Sequence, residues 1–412
     1  MKGVLIDLAP LRASRPFRRL WFGQVVSIFG AQLAFVAVMF QVWDQTHSTA
    51  WTGAIGLAQA LPLIVLGLFA GAAVDRFERR RFYLVITICQ VITATLMASQ
   101  LLIGPVPVGV LLGLVSMQSA LGAASGPAAR SILPQLLPRE LLAGGIALNR
   151  IAFQGAMLVG PAVGGLIVGA WGPSTAYLVD ALTFSGVLYG VLGLPVLRVK
   201  GEVRPGVRGV ADGLAFVVST PVIRGALVTD LAVTVLSMPI SLFPALNAER
   251  FGGDPRTLGL FLTAIAVGGV TASVLSGSYT RLPRPGVVML IGAGSWGIAL
   301  GLFAFAPTPW IALAFLAVAG AADTVSVVAR STIVQLHTPN ELLGRVAAAE
   351  QIVGSAGPNL GNVRGGVTAQ LTSPFTALIS GAILCVAAVV TVASTTPGLR
   401  ERIAPETTPA QG

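Results

Sequence analysis

Lysine is almost missing from these 412 residues, with Lys2 and Lys200 the only two. No glycine-rich turn can therefore end in the Gly-Lys-Ser/Thr that holds a nucleotide phosphate, so ATP hydrolysis within this chain is excluded. Histidine and cysteine are just as scarce, at two of each. His47 and His337 fall in loops or at helix ends, and no His, Cys and carboxylate cluster has metal-ligand spacing, so neither a metal site nor a cofactor is expected. Cys89 and Cys385 lie inside apolar stretches far apart in sequence and read as buried thiols, not a disulfide. Charge is the broadest shortage. Charged residues make up 10% of the chain against 54% hydrophobic, and a mean hydropathy of +0.83 lies outside what a soluble domain of this length carries. That leaves an integral membrane protein.

What is abundant is apolar runs. A helix needs about 20 apolar residues to cross a hydrocarbon core about 30 Å thick, and twelve such stretches are present: 20–42, 51–74, 82–103, 108–130, 146–169, 174–196, 222–246, 257–279, 286–306, 309–331, 346–370 and 374–396. Prolines 105, 107, 173, 221, 283, 307 and 374 set their ends. Of the 26 Lys and Arg, only Arg250 and Arg256 fall in loops that an inside N-terminus would place outside, whereas Arg12, Arg15, Arg18, Arg19, Arg76, Arg79, Arg80, Arg81, Arg139, Lys200, Arg204, Arg208, Arg281 and Arg284 fall on the other side. Both termini are then expected in the cytoplasm, with the chain multi-pass in the inner (plasma) membrane. The net charge of +10 follows from these inner loops beside anionic lipid; with no soluble domain to carry a binding surface, nucleic acid is not an expected partner. The stretch before Leu20 lacks a cleavable signal's short apolar core and reads as a retained tail with an amphipathic lead-in at Pro16 to Trp21.

The chain also repeats itself. Ala129-Arg130-Ser131, Gln135-Leu136, Pro138, Glu140, Leu141 and Leu142 return as Ala329-Arg330-Ser331, Gln335-Leu336, Pro339, Glu341, Leu342 and Leu343, and Gly164-Gly165 returns as Gly365-Gly366. Twelve spans are thus six plus six. The one sizeable internal polar stretch, Arg198 to Asp212, is where a linker between repeats belongs. The expected organisation is a six-helix domain over 1–197, a cytoplasmic linker over 198–213, a second six-helix domain over 214–397 and a cytoplasmic tail over 398–412.

Between the second and third spans, Gly71, Asp75, Arg76, Arg79 and Arg80 follow the pattern of glycine, three residues, Asp-Arg, two residues and two basics. This resembles the signature loop of the major facilitator superfamily. Glu78 stands where the commonest form has glycine, and Asp75-Arg76-Phe77-Glu78-Arg79-Arg80 looks like the branch that contains the enterobactin exporter. Thr46-His47-Ser48-Thr49, Phe243-Pro244-Ala245-Leu246, Arg284-Pro285-Gly286, Thr338-Pro339 and Leu343-Gly344-Arg345 are similar to that branch as well, so the likeness spans nearly the whole chain. It implies an all-α membrane protein of twelve transmembrane helices in two pseudo-symmetric six-helix bundles. Gly160-Pro161 with Gly164-Gly165 resembles the superfamily's antiporter motif in the fifth helix and implies a hinge between the halves. Ala147 and Ala156 replace two of that motif's glycines, and a kinked packing helix is the plainer reading. The arginine that drug/proton antiporters carry in mid-helix four is absent, since that helix is uncharged until Arg130.

A charge near the bilayer centre costs about 2.5–3.5 kcal/mol unless it faces a partner or a cavity, so each one calls for a reason. Asp230, Asp323, Arg364 and Arg150 are the candidates for coupling protons to substrate, with Asp230 first because it stands about 14 Å into its helix. A structural pair with a neighbouring helix is the equal alternative for Asp230. Asp323 and Arg330 share a helix face but lie about 10 Å apart along it. Glu350, with Gly71, Asp75, Arg76, Arg79 and Arg80, is expected to form an inner conformational latch in which Arg79 or Arg80 pairs with Glu350. Asp180 is read as structural, with a pair to Arg364 as one option, and Gln24, Gln32, Gln59, Gln118 and Asn149 as polar groups of an otherwise apolar cavity.

The function these readings imply is secondary active efflux of amphipathic small molecules, siderophore-like or drug-like, by alternating access and in exchange for protons. The expected partners are a small-molecule substrate, protons and the lipid bilayer, without ATP, and the working unit a monomer. An importer or facilitator of a small organic solute on the same fold is the alternative, and a non-enzymatic membrane sensor would leave the buried charges without a reason.

Overall fold

The computed structural model describes residues 7–76, 78–195, 207–339 and 342–402, with the backbone alone described at 67–76, 79, 127, 130, 131, 207–212, 344, 348, 349 and 352. Twelve long helices cross the molecule: α1 (Arg15–Thr46), α2 (Thr49–Arg76), α3 (Arg79–Ala98, continued by Gln100–Ile103), α4 (Val108–Leu136), α5 (Arg139–Trp171), α6 (Pro173–Leu192), α7 (Pro221–Ser237, resumed at Phe243–Arg250), α8 (Pro255–Val274), α9 (Pro285–Ala304), α10 (Pro309–Leu336), α11 (Leu343–Leu371) and α12 (Pro374–Thr395). Eleven are apolar enough to read as membrane spans on composition alone. The other, α11, has the length but carries Glu350, Asn359, Asn362, Arg364 and Gln370, and it packs against α7 in its own half and α2 in the other. Leu102, Val274, Trp310 and Leu371 stand exposed on the outside, a surface that hydrocarbon covers. Trp51, Trp171 and Trp310 lie at helix termini at one end of the bundle, the level at which tryptophan anchors a helix at the headgroups.

The lead-in expected at Pro16 to Trp21 is the first two turns of α1. Ser14 caps that helix, its Oγ accepting from Phe17 N at 3.3 Å, and Phe17 and Leu20 are buried against α4 and α6. The second part of the expected linker is a helix, Val207–Ser219, whose Val217 packs with Val334 and Val346. The seventh span is not continuous. Pro239 supplies no amide hydrogen and holds Met238 extended, so the helix stops at Ser237 and restarts at Phe243. Exposed backbone at membrane depth needs replacement partners. Asn362 Oδ1 accepts from Ser241 N at 3.0 Å, and Thr52 Oγ1, from the other half, donates to Ser241 O at 2.8 Å.

The sequence repeat reappears as equivalent packing. Gly165 on α5 faces α8, where an added Cβ would come within 2.6 Å of Pro255 O and 3.2 Å of Gly259 Cα. Gly366 on α11 faces α2 in the same way, 2.8 Å from Gly53 Cα. One residue earlier, Gly164 abuts Leu33 on α1, while Gly365 abuts Met238 and Ser241 in the break of α7. Small residues bring backbones into contact where no side chain would fit. The close approaches between the halves gather at one end, where Thr49 Oγ1 donates to Gly366 O at 2.9 Å, Ser48 Oγ to Gln370 Oε1 at 2.8 Å, and Asp254 and Arg256 adjoin Gly169. Farther along the helices, Gly122 and Gly126 on α4, Gly155 on α5 and Gly354 on α11 have open space beside them.

Candidate functional site

Three ionisable side chains from three helices meet in the second half, and a fourth stands deeper on one of them. Arg330 of α10 is in ion-pair contact with Asp230 of α7, and its Nε stands 3.3 Å from Glu350 Oε1 of α11. Both acids and the guanidinium are largely buried, with side-chain exposures of 9% for Arg330, 10% for Asp230 and 19% for Glu350. Ser331 Oγ lies 3.4 Å from Glu350 Oε1. Asp323, two turns before Arg330 on the same face of α10, lies within electrostatic reach of both Asp230 and Arg330. The helices approach closely enough because α11 presents Gly357 and Gly361 to Thr234 of α7. The result is one guanidinium held between two carboxyl groups, about 9–14 Å inside the end of the bundle that carries the start of α1, with Asp323 about 20 Å inside it.

Other expected residues are placed elsewhere. Glu350 spends its carboxylate on Arg330, and Arg80 Nη2 donates to Leu192 O at 3.0 Å, at the C-terminus of α6. In this conformation, therefore, the expected Arg80–Glu350 contact is not made. The side chains of Gly71, Asp75, Arg76 and Arg79 lie outside the described residues. Glu78, the departure from the motif's glycine, caps α3: its carboxylate accepts from Arg80 N and Arg81 N, both at 3.1 Å, and adds negative charge at a helix N-terminus. Arg150 is exposed on α5. Arg364 lies between α7 and α12, its Nη2 2.7 Å from where a Cβ on Gly381 would be. It does not meet Asp180, which packs in the first half against Gly30 and Thr183. Gly160 and Pro161 lie at the crossings with α1 and α8, and α5 runs through Pro161 unbroken.

A cavity of about 400 Å³ opens between α1, α2, α3, α4 and α6, closed on the far side by Asn359 of α11. Phe35, Leu63, Met97 and Phe184 give it an apolar wall. Of the glutamines expected there, Gln59 and Gln118 line it, whereas Gln24 bonds Tyr83 at 3.1 Å and Gln32 bonds Met157 Sδ at 3.1 Å. Sequence reasoning missed Gln90, Asn359 and above all Arg330. For Arg330 the signal was present, since it is the centre of the repeated Ala-Arg-Ser; only the packing of three helices reveals which acids it joins.

A family model described as transmembrane secretion effector matches residues 6–410. The enterobactin exporter EntS of Shigella boydii is 27% identical over 382 residues, covering 92% of this chain and 91% of that one. The enterobactin exporter EntS of Salmonella typhimurium is 28% identical over 384 residues with the same coverage. Among solved structures, the nucleoside transporter NupG superposes with a TM-score of 0.71 at 14% identity, covering 94% of this chain and 100% of that one. A bacterial homologue of the iron transporter ferroportin in an inward-facing state gives 0.68 at 15% identity, covering 94% and 99%.

Proposed function

The chain belongs to the transmembrane secretion effector family of the major facilitator superfamily, and from that premise we propose that it exports amphipathic small molecules, siderophore-like or drug-like, by alternating access in exchange for protons. It is a twelve-helix membrane transporter; the names of its relatives support the outward direction. The observation that carries the coupling is the pairing of Arg330 with both Asp230 and Glu350, with a third acid, Asp323, deeper on the same face of α10. Three acids exceed what one guanidinium pairs, so the cluster can change its proton content while its internal pairing changes with conformation. Alternating access is supported by two halves whose close contacts gather at one end, a joint that a rigid-body rock would open. The arginine-rich loops support an inner membrane with both termini on the cytoplasmic side. Glu350 then has two roles in turn: with Arg330 while the inner side is open, and with the arginines of the loop between α2 and α3 when it closes.

The test is transport into inverted vesicles under an imposed pH gradient, using a panel of catecholate siderophores and lipophilic drugs. Asp230→Asn should lower gradient-driven accumulation at least tenfold while exchange of cargo without a gradient persists. Accumulation at the unsubstituted rate removes Asp230 from the coupling.

A further inference from the structure

The cavity of the first half is separate from the charge cluster of the second and has its own chemistry. Gln59, Gln90 and Gln118 stand ten or eleven residues into their helices, about 15 Å deep, so the cavity lies at the level of the bilayer midplane. Among the described lining residues, Asp180 is the single charged one, at 5% exposure. Its Oδ1 has no hydrogen-bond partner among the described residues, and neither does the buried Oε1 of Gln118. Gln118 is held in place by its other end, Nε2 donating to Gln90 O at 3.3 Å, which leaves the carbonyl oxygen as the free group. Gly30 makes room for the carboxyl, since a Cβ there would stand 2.7 Å from Asp180 Oδ1. Buried acceptors without donors cost free energy that a donor-bearing ligand recovers. A carboxyl group with Thr183 beside it but no cation paired to it among the described residues attracts a cation and repels an anion.

We propose that this cavity is a cargo site selective for amphipathic cations that carry N–H donors, with Asp180 facing the positive charge, Gln118 accepting from a second donor, and Phe35 and Phe184 covering the flat apolar body. The aromatic walls favour a delocalised planar cation in addition to burying area. The inference rests on the transporter reading and narrows it: a catecholate, whose charge has the same sign as Asp180, is disfavoured here. Asp180 is then a specificity determinant and not only a packing residue between α6 and α1.

The test uses the full chain purified into lipid nanodiscs and the fluorescence of ethidium, a planar cation with two amino groups. Saturable binding is expected, without displacement by excess 2,3-dihydroxybenzoate. Asp180→Asn should weaken it at least tenfold and Asp180→Glu by no more than about threefold, with unfolding midpoints of both variants near that of the unsubstituted chain. Equal affinity for Asp180→Asn, or displacement by the catecholate, overturns the proposal. Should Asp180→Asn fail to fold, Gly122→Leu decides the matter: Gly122 lines the cavity with open space beside it, so the added side chain fills the cavity without a backbone clash. Loss of ethidium binding then upholds the site, and unchanged binding overturns it. Accumulation assays in cells separate the two levels. Export of catecholates alone, insensitive to Asp180→Asn, overturns the cation site and leaves the transporter reading intact; no difference in accumulation for any compound overturns the transporter reading, while nanodisc binding still decides the site.

Discussion

Truncating Arg330 to alanine would leave Asp230 and Glu350 facing each other at membrane depth without their shared cation. Removing one partner of a buried pair costs about 3–5 kcal/mol, so Arg330→Ala should lower the unfolding midpoint in detergent sharply, with Arg330→Lys intermediate because an ammonium lacks the fork that reaches two carboxylates. A second residue-scale expectation concerns the first half. Tyr177 OH donates to Gln41 Oε1 at 2.9 Å, and Gln41 Nε2 donates to Gln100 Oε1 at 2.6 Å, which joins α6, α1 and the end of α3 in one buried network. Tyr177→Phe strands an acceptor inside it and should destabilise the protein by about 1–3 kcal/mol, measured by thermal or denaturant unfolding in detergent, without altering cargo specificity.

At the scale of elements, the broken seventh helix is the part most dependent on its neighbours. Its freed amide at Ser241 is satisfied from α11 by Asn362 and its carbonyl from α2 by Thr52, so the break is also a joint between the halves. Asn362→Leu should therefore loosen the closed end, seen as faster labelling of a cysteine introduced at Ser241, whereas Asn362→Asp, which keeps the acceptor, should retain protection. The glycine crossings make a paired prediction. Gly165→Val and Gly366→Val occupy equivalent places on α5 and α11, and each thrusts carbon into the facing backbone. Both should shift the population toward an open outer end to a similar extent, read from the accessibility of a cysteine at Gln370; a large asymmetry would mean that the two halves do not bear the closure equally.

For the whole molecule, the proposed alternating access requires that the closed end open to move cargo. Cysteines replacing Ser48 and Gln370, in a Cys89→Ser background, should cross-link across the closed end, stop transport, and release it on reduction. Retained transport in the cross-linked protein would exclude opening at this end.

The sequence by itself determined that the chain is a membrane protein of twelve helices written as two copies, because hydropathy and chain breakers act locally and a duplication leaves its register in identical residues. It marked the Gly164-Gly165 and Gly365-Gly366 pairs and the repeated Ala-Arg-Ser without revealing their roles, and it listed the buried acids without their partners. Only the tertiary structure decided that Arg330 joins Asp230 to Glu350, that Asn362 and Thr52 carry the break at Pro239, and that Asp180 opens onto a cavity instead of pairing with Arg364. The physical reason is common to all three. A charge or an unpaired backbone group in a membrane must find its partner on another helix, and which helix lies alongside is settled by packing, not by distance along the chain.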